Sequence, residues 1–414
     1  MNKWLNYVLL LVSAFVAILI GEIFLRIVMP EIGWAQREDD VLGWSNDEYK
    51  QFTPNVPKKK QDERRILFLG DSYLAGSGVS SLNKRFPILL DKLLGDQYSV
   101  AILAAGGWGT DQQLLAFRQK GRAWNPDLIV LAFCANNDIA NILSHHFGPN
   151  KLKPYFVIGE NDVLELYDGL GQPLDYDLLF QNTAKDAQKT PLKFRSYLVD
   201  LTVHAVREFT HNSQSQDLDS YPNVDPRYQK TDFWGKRTDE INNKNGKLSW
   251  SPQDGVNHLS AYIDQQFEMN SYGWKLLERI LIRLNQEAEH GNAKLVVMML
   301  PVIVMLDDLQ SVAGGDFARE FQAPSGAFTF RSAEPGDRLR NICKEAGIPF
   351  FNPSPEFIDY IRSNNLMKSV WPNPPDHHFS EVGHQILATI SYKFFLDYFE
   401  KMETIEQDSE PLTP

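Results

Sequence analysis

The chain has 414 residues, of which 43% are hydrophobic, 12% aromatic and 23% charged. This composition is typical of a folded globular protein and excludes a disordered chain, a collagen and, with 2 cysteines, a disulfide-rich miniprotein. Because 41 basic residues face 53 acidic ones, for a net charge of −12, and no long basic run is present, nucleic-acid binding is not expected.

The first thirty residues differ from the rest. Residues 5–21 carry no charge and are nearly all apolar, and Pro30 ends the pattern. A helix over residues 4–29 would be about 39 Å long, enough to cross a bilayer core of about 30 Å. The segment 1–30 is therefore predicted to be a membrane anchor, with a cleaved signal peptide as the alternative. The flanking charges favour an inside amino terminus and a chain body outside the cytoplasm.

After a polar stretch at 31–64, which is expected to be a tether, short apolar runs alternate with helical patterns. The runs predict strands at 65–69, 100–103, 128–133, 295–300 and 349–351, and the helical spacing predicts helices at 86–94, 111–121, 274–284 and 381–399. Because the runs are apolar throughout instead of alternating, they indicate a parallel sheet covered on both faces. The predicted fold is a three-layer α/β/α sandwich.

The alternation of strands and helices stops between residues 146 and 268. More than a hundred residues without such a rhythm are too many for an ordinary connection. We therefore expect a large insertion, a lid or cap, at 146–268, between two parts of one core at 65–145 and 269–400. Its aromatic residues, Trp234 and Trp250 among them, either pack it onto the core or offer a stacking surface for sugars. Residues 401–414 are expected to be a polar tail.

Polar and glycine-rich motifs follow the first three predicted strands. In chain order they are Gly70-Asp71-Ser72, the loop from Gly106 to Asp111, and Asn136-Asn137-Asp138. In an open parallel sheet, ligands bind outside the carboxyl ends of the strands. A serine there can expose its hydroxyl, and an amide there can donate to an oxyanion. Each motif alone is equally well explained as turn or helix-cap chemistry.

A fourth motif, Asp376-His377-His378, precedes the last predicted helix. An acid and an imidazole two residues apart can hydrogen-bond if the loop curls, and the acid then fixes the tautomer of the ring. Together with His384 these residues could instead form a metal site. The H-E-x-x-H spacing and cysteine ligands are missing, however, so no metal is predicted.

Taken together, the four motifs resemble those of the SGNH hydrolase family, also called GDSL-like esterases and lipases. The resemblance covers residues 65–145 and 290–400. It depends on four blocks, which are Leu67-Phe68-Leu69-Gly70-Asp71-Ser72-Tyr73, Gly106-Gly107-Trp108-Gly109-Thr110-Asp111-Gln112, Asn136-Asn137-Asp138 and Asp376-His377-His378-Phe379. The preceding Leu42-Gly43-Trp44 is similar to the lead-in of membrane-anchored bacterial members. The resemblance implies the SGNH, flavodoxin-like form of the sandwich.

The resemblance also implies roles for individual residues. Ser72 would be the nucleophile, His378 the general base and Asp376 the acid that orients it. The oxyanion hole would consist of the backbone N–H groups of Ser72 and Gly107 and the side-chain amide of Asn137, with Asp71 and Asp138 in supporting positions. This chain departs from the family pattern in its D-x-H spacing, where D-x-x-H is common, and in Ala135, where many members have glycine. His377 is the alternative base.

The function implied by the resemblance is that of a serine esterase without a cofactor. Its substrates would be carboxylic esters, such as acyl or acetyl esters of carbohydrate or other cell-envelope compounds. An O-acyltransferase acting on an envelope polysaccharide and a non-catalytic binding module on the same fold are the alternatives. The expected location is the membrane, with one spanning helix and the catalytic domain in the periplasm or outside the cell.

Overall fold

A computed structural model describes residues 3–28, 37–45, 56, 58–147, 151–180, 196, 198–199, 202, 221–229, 256, 260–262, 267–305, 331–372 and 378–409. Within these residues the largest sheet has five strands, all parallel. Helices form a layer on each side of it. This arrangement confirms the predicted three-layer α/β/α sandwich.

The strands are β1 (Arg37–Asp39), β2 (Gly43–Ser45), β3 (Arg64–Gly70), β4 (Tyr98–Ala104), β5 (Leu128–Phe133), β6 (His146–Phe147), β7 (Lys151–Leu152), β8 (Tyr155–Ile158), β9 (Leu164–Tyr167), β10 (Pro173–Leu174), β11 (Lys294–Met299) and β12 (Phe350–Phe351). The α-helices are α1 (Lys3–Val28), α2 (Ser72–Ala75), α3 (Phe86–Leu94), α4 (Thr110–Gln119), α5 (Asp138–Ile142), α6 (Pro226–Gln229), α7 (Glu268–His290), α8 (Glu334–Glu345), α9 (Ser354–Ser363), α10 (Met367–Val370) and α11 (Glu381–Ser409).

The order of strands in the main sheet is β12-β11-β5-β3-β4. Gly70 at the end of β3 pairs with Ala104 of β4, and Leu69 pairs with Leu131 of β5. The carboxyl ends of β3, β4 and β5 therefore lie side by side, with β3 in the middle. Whatever follows β3 lies between the loops that follow its two neighbours.

Apolar side chains explain why these strands are buried. Residues 66–69 of β3 and 128–133 of β5 are fully buried, so both faces of the sheet are covered. On one side α3 packs against α11, and on the other α7 packs against α4 and α5. Continuous apolar runs buried on two faces are what a parallel sheet between helices requires.

The predicted strands and helices are present, with differences at their ends. The strand β4 begins at Tyr98 instead of Val100, because its first two residues are half-buried and outside the apolar run. The last helix continues past 399 to Ser409, into residues expected to be a tail. Its Glu, Lys, Met and Gln residues favour helix without requiring burial.

The interval 31–64, expected to be a polar tether, contains the antiparallel hairpin β1–β2. Leu42 and Trp44 of this hairpin are fully buried in the core. The interval 146–268 contains a pair β6–β7 and a three-stranded antiparallel sheet β8–β9–β10, in which the Ile158 N–H donates to the Tyr272 hydroxyl of α7 at 3.1 Å. Trp234 and Trp250 lie outside the described residues.

The helix α1 is long and apolar enough, over Tyr7–Leu25, to cross a membrane. Most of its side chains are exposed. Length and composition alone fit both a membrane anchor and a signal sequence, since both place an apolar helix near the amino terminus.

Candidate active site

Ser72 is the first residue of α2 and follows directly on β3. The turn between them is capped by Asp71, whose carboxylate accepts from the Tyr73 N–H at 3.0 Å. A side chain at Gly70 would lie 2.5 Å from the Leu74 side chain, so glycine lets Leu74 pack closely over the turn. Ser72 itself is half-buried, which leaves its hydroxyl accessible at the carboxyl edge of the sheet.

His378 lies next to Ser72, although 306 residues separate them in the chain. Its Nε2 is 2.7 Å from the Ser72 Oγ, a hydrogen-bond distance. The imidazole packs on the ring of Tyr73, with centroids 5.0 Å apart, and Phe379 packs edge-on against the same ring at 4.9 Å. The structure therefore brings together the serine and the histidine singled out in the sequence, in the geometry of a nucleophile and its base.

The segment after His378 is tied down on both sides. The Ser380 N–H donates to the Val370 carbonyl at 2.8 Å, and the Ser80 hydroxyl donates to the Glu381 carboxylate at 2.5 Å. The first contact joins the histidine loop to α10, and the second joins it to the chain that follows α2. Asp376 and His377 lie outside the described residues, so the orienting acid and the alternative base remain predictions.

The loop after β4 carries Gly107, one of the expected oxyanion donors. Its φ of +78° lies in the left-handed region, and the Phe147 ring occupies the place of a side chain, at 2.6 Å. The Gly107 carbonyl accepts from the Asn141 side chain at 3.0 Å. The left-handed φ and the position of the Phe147 ring make glycine necessary here. The hydrogen bond from Asn141 fixes the orientation of the Gly107 carbonyl. The role of its N–H as an oxyanion donor remains a prediction.

Asn137 precedes α5, but its side chain makes no capping hydrogen bond with that helix. Asn137 thus stands at the N-cap position without capping the helix through its side chain. Its amide lies near the Asp71 carboxylate, beside Ser72, and lowers the pKa of that group. The neighbouring Asn136 has a different partner, since its Oδ1 accepts from the Tyr262 hydroxyl at 2.6 Å. Of the two asparagines, only Asn137 interacts with the turn that carries the serine.

Three carboxyl groups near the site, those of Asp71, Asp111 and Asp138, are fully buried. Burial raises the pKa of the Asp71 carboxyl, against the opposing effects of the Tyr73 N–H, His378 and Asn137. Burial, and then the charge of Asp71, raise the pKa of Asp138 well above its usual range. The Cys134 N–H donates to the Asp138 carboxyl at 2.6 Å, which holds the loop after β5 in place. The site is thus built on carboxyls whose pKa values are raised by burial.

His384, considered with the other histidines as a metal ligand, lies in the core. Its Nδ1 accepts from the Phe86 N–H at 3.2 Å, and burial lowers the pKa of this imidazole to about 3. It is therefore a neutral structural residue. In the described part of the chain, no three His, Cys, Asp or Glu side chains are placed to share a metal ion.

Sequence patterns did not point to several residues around the glycine-rich loop. They are Asn141, Phe147 and Lys153. Asn141 follows Asn137 by one helical turn, which is a weak signal. Phe147 belongs to a strand of two residues and Lys153 to the link between β7 and β8, and neither segment has a periodicity, so only the folded chain shows where they lie.

No family model and no curated protein matches this chain. Solved structures that match include an acetyl xylan esterase, AlAXEase, with TM-score 0.34 and 12% identity over 80% of this chain and 98% of that one. A GDSL-like lipase candidate from Parabacteroides merdae has TM-score 0.33 and 11% identity over 81% and 96%. A catalytic mutant of an acetylxylan esterase from Geobacillus stearothermophilus has TM-score 0.35 and 11% identity over 81% and 95%. Similarity at this level does not assign the chain to a family.

Proposed function

We propose that this protein is a serine esterase of the SGNH type that hydrolyses carboxylic esters. The observation that carries the proposal is the 2.7 Å contact between the His378 Nε2 and the Ser72 Oγ. It lies at the carboxyl edge of a parallel sheet, where ligands of such folds bind. A serine hydroxyl in contact with an imidazole is the arrangement that activates a serine for attack on a carbonyl.

The reaction proceeds in two halves. His378 accepts the proton of Ser72 as the Oγ bonds to the ester carbonyl carbon, which gives a tetrahedral oxyanion. As this intermediate collapses, the alcohol leaves with the proton from His378, and the acyl group remains on Ser72. A water molecule then gives a proton to His378 and attacks the acyl carbon. The second intermediate releases the carboxylic acid, and the proton returns to Ser72.

Three donors stabilise the oxyanion in this proposal. They are the backbone N–H groups of Ser72 and Gly107 and the side-chain amide of Asn137. A carboxamide has two N–H donors, so Asn137 can offer one of them to the oxyanion. In this proposal Asp71 and Asp138 hold the turns after β3 and β5 through hydrogen bonds from backbone N–H groups. Asp376 orients the His378 ring.

The proposed substrates are acyl or acetyl esters of carbohydrate or other envelope compounds. The proposed location is the membrane, with α1 as anchor and the catalytic domain outside the cytoplasm. An exposed apolar helix supports this anchor, and the net charge of −12 disfavours attachment of the body to anionic lipid. Carbonate extraction of membranes tests the anchor, because an anchored chain should stay with the lipid and a processed one should be released.

The decisive test is Ser72→Ala, assayed with p-nitrophenyl acetate and with a fluorophosphonate probe. Loss of the nucleophile should abolish both turnover and labelling. Ser77→Ala, five residues later and half-buried, is the matched control and should retain both activities. Undiminished turnover by Ser72→Ala would overturn the proposal. A wild-type protein that neither labels nor turns over esters would indicate a binding module on this fold.

Product analysis separates hydrolysis from acyl transfer. The same acyl-enzyme can react with a sugar hydroxyl in place of water. With an acylated donor and a glycan acceptor present together, a hydrolase should release the free acid at a rate that the glycan does not change. Predominant acyl-glycan would identify an O-acyltransferase.

A further inference from the structure

The glycine-rich loop at 105–109 has little of its own to hold it in place. Three of its five residues are glycine, and Gly107 adopts a left-handed conformation. Glycine loses more conformational freedom on ordering than any other residue and offers no side chain for packing. A donor on this loop can be aimed at an oxyanion only if other parts of the chain fix the loop.

Two hydrogen bonds to successive carbonyls fix its backbone. The Trp44 indole N–H donates to the Gly106 carbonyl at 3.0 Å, and the Asn141 side chain donates to the Gly107 carbonyl at 3.0 Å. The Phe147 ring covers Gly107 and lies 5.3 Å from the Trp44 ring, centroid to centroid. The peptide unit that carries the Gly107 N–H begins at the Gly106 carbonyl, so the Trp44 contact sets the direction of that N–H.

Trp44 and its hairpin are in turn held by the loop and by the helix α4 that follows it. The Trp108 indole N–H donates to the Trp44 carbonyl at 2.9 Å, and the Gln112 amide donates to the Leu42 carbonyl at 2.6 Å. Trp44 is 1% exposed. The hairpin β1–β2 and the glycine-rich loop therefore hold each other through bonds in both directions.

Lys153 connects the hairpin and the glycine-rich loop to the segment around β6 and β7. Its ammonium group forms an ion pair with the Asp111 carboxylate in the first turn of α4, and the two residues are 1% and 0% exposed. The Lys153 N–H donates to the His145 carbonyl at 2.9 Å, which joins it to the segment that carries Phe147. Its backbone also lies where a side chain on Gly43 would be, with the Lys153 Cα at 2.8 Å.

A buried ion pair of this kind is a weak source of stability. Burial raises the pKa of Asp111 and lowers that of Lys153. The attraction between the two charges acts the other way, since it lowers the pKa of Asp111 and raises that of Lys153. Desolvation of two charges consumes most of their attraction, whereas loss of one partner leaves a buried charge unpaired. What such a pair provides well is a fixed geometry between the segments that it joins.

We propose that Lys153 and Trp44 are positioning residues, which hold the loop at 105–109 so that the Gly107 N–H points to the oxyanion. The inference deepens the proposed function and depends on it. It assigns a catalytic contribution to a hairpin and to a lysine outside the four sequence motifs. Neither residue touches the substrate in this account.

The experiment compares Lys153→Met and Trp44→Phe with the wild type in the full-length protein. A donor displaced by about 1 Å can cost about 10²-fold in rate. We therefore expect kcat to fall at least about tenfold in both variants, with KM changed less than about threefold, since the lost interaction acts in the transition state. The acid limb of the pH profile should not move, and Lys153→Arg should recover part of the lost kcat.

Arg65→Met is the matched control. Arg65 forms a comparably buried ion pair with Glu63, at 2.9 Å, near the opposite end of β3 and about 20 Å from Ser72. It should lower the melting temperature as the test variants do, without lowering kcat. All rates are divided by the fraction of Ser72 that a fluorophosphonate labels, so loss of folded protein does not count as loss of catalysis.

Unchanged kcat per labelled site in both test variants would overturn the inference. An equal loss of kcat in Arg65→Met would also overturn it, since the effect would then be general destabilisation. If Lys153→Met does not fold, Trp44→Phe decides, because it removes one hydrogen bond and keeps the ring. Failure of the proposed function itself shows separately, as turnover that survives Ser72→Ala.

Discussion

The two ends of the central sheet treat buried charge in opposite ways. At the amino end, Arg65 donates to the Glu63 carboxylate at 2.9 Å, to the Trp124 carbonyl at 2.8 Å and to the Ser99 hydroxyl at 3.2 Å. Asp127 accepts from the Arg65 N–H at 2.6 Å and from Lys59 at 2.5 Å. Opposite charges there are matched at short range.

At the carboxyl end, Asp71, Asp111 and Asp138 are fully buried, and Lys153 forms an ion pair with Asp111. Burial raises the pKa of all three. Local conflict of this kind is common at functional sites, whose stability is supplied elsewhere in the fold. Buried charges are thus paired at the amino end of the sheet, whereas the carboxyl end, where the proposed site lies, holds carboxyls with raised pKa values.

The largest difference between neighbours is expected at the two asparagines after β5. Asn137→Ala should lower kcat by about 10²- to 10³-fold with a small change in KM, because it removes one proposed oxyanion donor. Asn136→Ala should lower stability, since it leaves the Tyr262 hydroxyl without its acceptor, and should leave kcat nearly unchanged. Steady-state kinetics and thermal melting of the two variants check this. A change confined to KM in Asn137→Ala would assign that residue to substrate binding.

A second comparison uses one carboxyl from each end of the sheet. Burial raises the pKa of Glu63, but hydrogen bonds from Ser99 and Arg65 outweigh this and hold it below its usual value. Glu63→Gln should cost about 2 kcal/mol, the scale of hydrogen bonds to a charged group. Asp138→Asn should change the free energy of unfolding by less than about 1 kcal/mol at neutral pH, because the amide resembles the neutral acid that burial favours. Urea unfolding of both variants measures the difference.

The two carboxyls should also give opposite dependence on pH. A pKa held below 4.5 in the folded state makes Glu63 stabilising above that pH, and this contribution is lost as the pH falls. A pKa raised above 3.8 makes Asp138 costlier as the pH rises, because folding then retains a proton that the unfolded chain releases. The free energy of unfolding of Glu63→Gln and of Asp138→Asn, measured against pH relative to the wild type, should therefore change in opposite directions. The same pH dependence in both variants would contradict the contrast between the ends of the sheet.

A further effect concerns His384, which contacts Phe86 at the start of α3. The pKa of His384 is about 3 in the folded protein and about 6.5 in the unfolded chain. Below pH 6.5 the unfolded chain therefore binds a proton at this residue, whereas the folded protein does not. Stability should therefore fall by about 1.4 kcal/mol per pH unit between about pH 6 and 4 through this residue. His384→Asn, which keeps an acceptor for the Phe86 N–H, should lack this slope in urea unfolding at pH 7, 6 and 5. An unchanged slope would show that the imidazole is not the cause.

Sequence patterns predicted the sheet well because its strands are long apolar runs that end in glycine and polar residues. They also identified Ser72 and His378, whose contact the structure shows, since both stand in recognisable motifs. The supports of the glycine-rich loop were missed for a physical reason. Phe147 lies in a strand of two residues and Lys153 between two short strands, so neither shows a period, and their contacts join segments tens of residues apart. Charge pairing at such separation leaves no local trace.

The docking of the hairpin β1–β2 on the core shortens the link between α1 and the proposed site. A free tether over 31–64 would let the domain range widely, but only residues 29–36 separate α1 from β1. Eight residues span at most about 30 Å when fully extended. In the proposed membrane-anchored protein, this short link keeps Ser72 close to the bilayer surface. A soluble fragment should begin before Arg37, because a later start would cut into the hairpin that holds Trp44 in place.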